Sequence, residues 1–183
     1  MPAARQGRDA AAARKIGWLL YDARRLDEAA EWFSTALGWK GETDAARGLA
    51  TVYAAQGNLA ALEELGERWP AIVNPMLADA RGAALGAALE RNDWQAVLTQ
   101  TRDAEAVETV LTRGWALFQL GRPTEAMLGF QRVLHADDAT PTQRDEGAYG
   151  LVRSYLALDL YLDAERAMER YGVEPGKVFE VKS

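Results

Sequence analysis

Between Val107 and Phe130 the apolar residues fall into two stripes. Val107, Val110, Leu111, Gly114, Leu117 and Phe118 recur at the i, i+3, i+4, i+7 spacing of a helix with one buried face. Gly121 and Pro123 then interrupt the pattern, and Ala126 and Phe130 open a second stripe. Gly121 suits a left-handed helix end, and Pro123 suits a first turn, where its missing N–H leaves no bond unmade. The same alternation of stripe, turn and stripe runs along most of the chain. Gly57 and Asn92 are predicted to end helices in the same manner, Asp103 to cap one, and Asn74 before Pro75 to start one. Thr140-Pro141-Thr142-Gln143 reads as a capping box. No alternating, strand-like pattern competes until the last residues, "KVFEVKS", expected as a short strand or frayed coil.

The stretch "GWALFQLGRPTEAMLGF" (Gly114 to Phe130) has a near copy in "GWLLYDARRLDEAAEWF" (Gly17 to Phe33). Gly17, Leu20, Ala29 and Phe33 align with Gly114, Leu117, Ala126 and Phe130, an offset of about three periods of ~34 residues. Two units are therefore expected between them. "ARGLATVYAAQGNLAAL" (Ala46 to Leu62) carries Leu49, Tyr53 and Gly57 in matching places, and "RGAALGAALERNDWQAVL" (Arg81 to Leu98) carries Leu85, Asn92 and Trp94. A fifth unit, "AYGLVRSYLALDLYLDAERAM" (Ala148 to Met168), supplies Leu151, Tyr155, Ala164 and Met168.

At these residues the chain resembles the tetratricopeptide repeat family, whose unit is a pair of antiparallel helices with small residues where the two cross. The resemblance implies an all-α solenoid of about five helix pairs, wound as a right-handed superhelix and closed by a short C-terminal tail. It covers a single domain over residues 1–178, with units at about 10–43, 43–76, 78–104, 104–140 and 141–178 and a tail at 179–183. Ala29, Ala126 and Ala164 fill the small second-helix position, and Phe33, Phe130 and Met168 the large one a turn later. Units two and three depart from this, with Leu62 and Val97 for alanine and Gly66 and Thr101 for the aromatic, so their second helices are expected to be short or tilted. A glycine inside a helix costs about 1 kcal/mol relative to alanine. Gly17 and Gly114 are therefore expected to permit close backbone approach, with Ala29 and Ala126 on the facing helix.

In such arrays the first helices line a concave wall that holds an extended peptide or a partner helix. Trp18 and Trp115, each following its glycine, are rotated about 100° from the packing stripe and are expected to lean toward that wall. Tyr21 and Phe118 follow one turn on, while Arg14, Arg47, Thr51, Tyr149 and Arg153 fall in comparable places on other first helices. Rings interleaved with guanidinium groups suit an amphipathic ligand. The other reading of each ring is packing against the next unit. Trp32, Trp39, Trp69 and Trp94 lie on second helices or connections and are expected in the core. Family members that bind chaperones clamp a C-terminal carboxylate with lysine, asparagine and arginine on successive first helices. Here Arg14, Trp18, Gly48, Asp79 and Ala83 stand in that region, and Arg14 alone keeps the charge, so that clamp is not expected.

Composition narrows the chemistry. The net charge of −6, from 21 Lys plus Arg against 27 Asp plus Glu, with no basic run, argues against a nucleic-acid partner. No stretch approaches the ~20 apolar residues of a membrane span, so membrane insertion is not expected. With no cysteine there is neither a disulfide nor a thiolate. His135, the single histidine, lies beside Asp137 and Asp138 without a third convergent ligand, and "GAALGAAL" lacks the lysine and hydroxyl of a phosphate loop. No metal, cofactor or catalytic residue is therefore expected.

The function expected is a non-enzymatic interaction scaffold that binds a partner protein or peptide through its concave face. Within the family, "GWLLYDARRLDEAAEWFSTALGWKG" and "ARGLATVYAAQGNLAAL" are similar to periplasmic repeats of bacterial exopolysaccharide secretion subunits, those for cellulose especially. That similarity implies synthesis machinery or the polysaccharide itself as partner. Read from Met1 as a true start, the chain is expected in the cytoplasm; read as a fragment of a secretion subunit, it is expected in the periplasm. The alternatives are a self-assembling homo-oligomer that pairs through its terminal units or its "VFEV" tail, and a cytoplasmic regulatory or adaptor domain. For the former, Met168 and Tyr171 would be exposed unless something covers them.

Overall fold

The computed structural model describes residues 9–40 and 42–179, which are helical almost throughout and include no strand. Consecutive helices pack in neighbouring pairs. The first pair is α1 (Ala10–Asp22) with α2 (Leu26–Lys40), and the second is α3 (Thr43–Gln56) with α4 (Leu59–Arg68). The long α5 (Pro70–Glu90) precedes α6 (Trp94–Gln100). Then come α7 (Val107–Gln119) with α8 (Pro123–His135), α9 (Pro141–Ala157) with α10 (Tyr161–Tyr171), and a short α11 (Pro175–Phe179). The chain divides within α5 into two compact units, Met1–Ala84 and Leu85–Ser183.

One turn ends all five first helices. Arg24, Gly57, Asn92, Gly121 and Asp159 each end a first helix in the left-handed region, with φ between 54° and 70°. The next N–H in each case, from Arg25, Asn58, Asp93, Arg122 or Leu160, donates to the carbonyl of Leu20, Tyr53, Ala88, Leu117 or Tyr155 at 2.9–3.0 Å. This is the six-to-one bond of a Schellman turn, and it satisfies a carbonyl that the helix end would leave bare. Of the five, Gly57 and Gly121 are free of the Cβ cost of this conformation; asparagine and aspartate tolerate it, and Arg24 bears a penalty of about 1 kcal/mol.

The turn sets the register of the second helix. Each second helix starts two residues later, at Leu26, Leu59, Trp94, Pro123 or Tyr161. Three residues further on, Ala29, Leu62, Val97, Ala126 and Ala164 are all completely buried. Asn58 and Asp93 cap their helices by accepting from the N–H of Ala61 and Ala96. In the same position Arg25 and Arg122 instead grip Glu28 and Glu125 with two hydrogen bonds each, at 2.5–2.6 Å. The Arg122 hydrogen bonds hold the Glu125 carboxyl below the usual carboxylate range. Thr140 and Gln143 form the expected capping box at α9.

The glycines of the first helices face a ring rather than an alanine. A Cβ on Gly17 would lie 2.9 Å from Cζ of Phe33, and one on Gly48 would strike the same ring. In the C-terminal unit a Cβ on Gly114 would lie 2.9 Å from Cε1 of Phe130, and one on Gly150 2.5 Å from it. Each phenylalanine, on a second helix, is thus seated in two notches, one on its own first helix and one on the first helix of the next pair. Phe33 and Phe130 are fully buried. Ala29 and Ala126 are buried as well, but the backbone approach in the fourth pair comes through Gly129, whose Cβ position is 3.5 Å from Cα of Gly114.

Three local expectations are replaced. Asn74 and Pro75 lie inside α5, which starts at Pro70, because the carbonyl of Trp69 already accepts from the N–H of Ile72 and Val73. Pro75, the sixth residue of the helix, lacks the N–H that an interior position donates, and α5 continues past it to Glu90. Asp103 does not cap α7; the N-cap is Ala106, and the Arg113 guanidinium holds the carbonyls of Thr101 and Arg102 in the preceding turn. The expected strand or coil at the C-terminus is helix α11 through Phe179; residues 180–183 lie outside the described residues, as do 1–8 and 41. Val173 and Val178 pack with Met168 and Tyr171 over the buried Val152, Ala164 and Ala167, so the last pair is partly covered. The second helices of the second and third pairs are short, 10 and 7 residues.

Gly150→Ala is expected to destabilise the chain by about 1–3 kcal/mol through overpacking, outweighing the ~1 kcal/mol gained in helix propensity. The double variant Gly150→Ala, Phe130→Leu should cost less than the sum of its parts, because the smaller side chain vacates the notch; urea unfolding midpoints measure both. Ending the chain at Gly172 uncovers Ala167 and Met168 and should lower the thermal midpoint by several degrees in circular dichroism, about what a loss of 1–2 kcal/mol produces.

Candidate functional site

The tryptophan after each notch glycine lies against the ring that fills the notch. In the N-terminal unit Trp18 meets Phe33 edge-on, centroids 5.0 Å apart at 74°, and Tyr21 at 5.7 Å and 85°. In the C-terminal unit Trp115 meets Phe130 at 4.9 Å and Phe118 at 6.0 Å, again at steep angles. Edge-to-face contact matches the positive ring edge to the negative ring face and fixes the indole plane. Each tryptophan is therefore set by packing, with one side turned away from it.

What lies on that free side differs between the units. The ring of Tyr149 tilts over Trp115 at 5.9 Å and 43°. The Arg153 guanidinium stands 5.2 Å above Phe118 and 5.7 Å from the Tyr149 ring, and it donates to the Tyr149 hydroxyl at 3.1 Å. Trp115, Phe118, Tyr149 and Arg153, all half-buried, thus form one cation–π cluster. Counting back from the left-handed Gly57 and Asp159, α3 has Arg47 where α9 has Tyr149, and Thr51 where α9 has Arg153. The Thr51 hydroxyl donates to the Arg47 carbonyl at 2.9 Å, and the Arg47 side chain is 60% exposed. Trp18 stays 38% exposed.

Arg14 has a structural task. Its guanidinium lies 2.7 Å from Oε2 of Glu42 and donates to Oδ2 of Asp44 at 3.3 Å, tying α1 to the start of α3. The sequence pattern gave no sign of this, because Glu42 is the N-cap and Asp44 a first-turn residue of α3, about 30 residues along the chain from Arg14. Of the nine residues expected on a binding face, the structure brings Trp115, Phe118, Tyr149 and Arg153 together. It also pairs Trp18 with Tyr21 and leaves Arg47 and Thr51 on the neighbouring helix of the same unit.

A hollow of about 390 Å³, without a counterpart in the sequence pattern, adjoins Tyr149 and is lined also by Asp145, Glu146, Tyr171 and Glu174. It is created where the α10–α11 turn folds back beside α9, a long-range event without local signal. His135 is exposed and its Nδ1 lies 2.7 Å from the Gln131 carbonyl; among the described residues no group of three or more acids and histidines is placed to hold a metal ion. Trp32 is buried, and Trp39, Trp69 and Trp94 pack against the cores of their units. No helix of the described residues is long and apolar enough to cross a membrane. Neither the protein-family models nor the curated proteins compared with this chain match it.

Because Trp115 carries more intramolecular contact than Trp18, Trp115→Ala should cost more stability than Trp18→Ala, by about 1 kcal/mol or more. Denaturant midpoints of the two variants decide it. Equal or reversed losses would contradict the contrast between a covered and an open ring.

Proposed function

We propose that this chain is a non-enzymatic interaction scaffold, built on tetratricopeptide-type helix pairs, that docks a partner protein or peptide on its first-helix faces. Three features support the architecture: the Schellman turn recurring in five pairs, the buried residue at a constant distance after it, and first helices that pack on one another, α1 with α3 and α7 with α9. The observation that carries the functional reading is Trp18. A large ring 38% exposed on a helix, with its plane held by two edge contacts, is a preorganised anchor of the kind that dominates binding energy. Rings and guanidinium groups held by packing and ion pairs bind a ligand without activating a bond, so the reading is one of recognition.

The geometry also orders the candidates within the site. Arg14 is engaged with Glu42 and Asp44, and Tyr149 and Arg153 with each other, whereas Trp18, half-buried Tyr21 and exposed Arg47 keep surface toward solvent. The docking face is accordingly centred on α1 and α3.

A random peptide library selected on the purified chain tests this. Selected peptides should lose about thirtyfold or more in affinity on Trp18→Ala, the measure of an interface hot spot, while helical circular dichroism is unchanged. Selected peptides indifferent to Trp18 would overturn the assignment. So would a tryptophan fluorescence response to cellohexaose without any response to peptides, since the ligand would then be a glycan.

A further inference from the structure

The two near copies of the notch differ in one respect that bears on ligand chemistry. The C-terminal unit shows what such a face accepts: a ring, Tyr149, tilted over the tryptophan, and a charged group set against that ring's polar edge. The N-terminal unit offers the same tryptophan and the same neighbouring aromatic position, but the covering ring is replaced by Arg47. Thr51 is too short to span what Arg153 spans, and its hydroxyl is turned onto its own helix. The cation at this face is thus supplied by the position that, in the other unit, supplies the ring.

We infer that the face formed by Trp18, Tyr21 and Arg47 takes a short partner segment carrying an aromatic side chain beside a carboxylate. This rests on the docking reading above and assigns the chemistry of its ligand. The partner's ring lies on Trp18 as Tyr149 lies on Trp115, and its carboxylate meets the Arg47 guanidinium. Arg47 has little competing for it: its nearest acid, Asp44, is 4.0 Å away and already receives a hydrogen bond from Arg14. Arg14 is closed by Glu42, so the acid selects Arg47. On α1 the exposed Lys15, one turn before Trp18, is offset by the exposed Asp22, one turn after it, so the cation left to meet an acid is Arg47 on α3. The carboxylate therefore sits on the α3 side of the ring. In a chain of net charge −6 the acidic segment is met by the exposed Arg47 guanidinium, and binding should weaken with salt.

The test uses three synthetic peptides of equal length: tyrosine flanked by Asp and Glu, tyrosine flanked by Lys and Arg, and the acidic peptide with alanine for tyrosine. The acidic aromatic peptide should bind about tenfold tighter than either control. It should shift the indole N–H resonance of Trp18 and leave that of Trp115 in place. Arg47→Ala, at an exposed side chain, should keep the fold and cost about five- to tenfold in affinity for that peptide alone. Equal binding of the basic peptide, with Trp18 still shifted, would overturn the acidic assignment while the docking face stands. Movement of Trp115 in place of Trp18 would overturn the location. Failure of the acidic peptide to bind, while library peptides dependent on Trp18 still do, would overturn this inference and leave the scaffold reading intact.

Discussion

The described structure depends on a phenylalanine seated in two glycine notches. Phe33 fills the space that side chains on Gly17 and Gly48 would occupy, and Phe130 does the same for Gly114 and Gly150. A single ring thereby holds three helices: its own, the first helix of its pair and the first helix of the next pair. Such a joint demands close tolerance, since packed interiors leave little room for an added methyl group. It also makes the residue after each glycine part of the joint. Trp18 and Trp115 lie edge-on to the seated ring at 5.0 and 4.9 Å, so the orientation of the exposed indole is set by the packing beneath it.

Where the ring is missing, other interactions close the pair. Thr101 stands in the phenylalanine position of the third pair, fully buried, with its hydroxyl donating to the Val97 carbonyl at 2.7 Å. That bond satisfies the hydroxyl but spans no notch, and α6 ends after 7 residues. Arg113 then reaches back from α7 to the carbonyls of Thr101 and Arg102, doing with hydrogen bonds what the ring does elsewhere by contact. In the second pair Gly66 leaves a smaller gap, and the side chains of Asn74 and Val73 approach it. The Schellman turn is kept in both pairs even though the joint is not. Turn and joint are thus separate devices, and the turn alone is enough to hold the register.

Much of this is legible in the sequence because it is local. Gly57, Asn92, Gly121 and Pro123 act where their backbone preferences place them, and the Thr140 capping box is a matter of four residues. Arg24 and Asp159 take the same left-handed turn but carry side chains that do not announce it; only their equivalence to Gly57 and Gly121 reveals them. Asp103 and Asn74 show the opposite error, correct residue types for a cap where the helices start elsewhere, at the Ala106 and Trp69 carbonyls that accept their first bonds. The notch glycines suggest contacts between helix backbones because a sequence shows that a side chain is missing without showing what enters the gap. At the candidate face, helical spacing selects the aromatic residues, whereas the ion pair of Arg14 with Glu42 and the stacking of Arg153 require the fold.

Two copies of one joint can carry different loads because the joint is stable without the groups around it. On α9, Tyr149 and Arg153 settle over the tryptophan and its neighbour, and their contacts are made within the chain, without the ordering cost of bringing in a partner. On α3, the corresponding positions hold Arg47 and Thr51, which leave the indole open. The open copy retains what makes binding efficient: Trp18 is already fixed by Phe33 and Tyr21, so a ligand need not supply the free energy to order it. A substitution that covered Trp18 would add internal cohesion and remove the surface, while one that uncovered Trp115 would cost cohesion. Stability and recognition therefore compete for the same ring face, and the two copies resolve that competition in opposite directions.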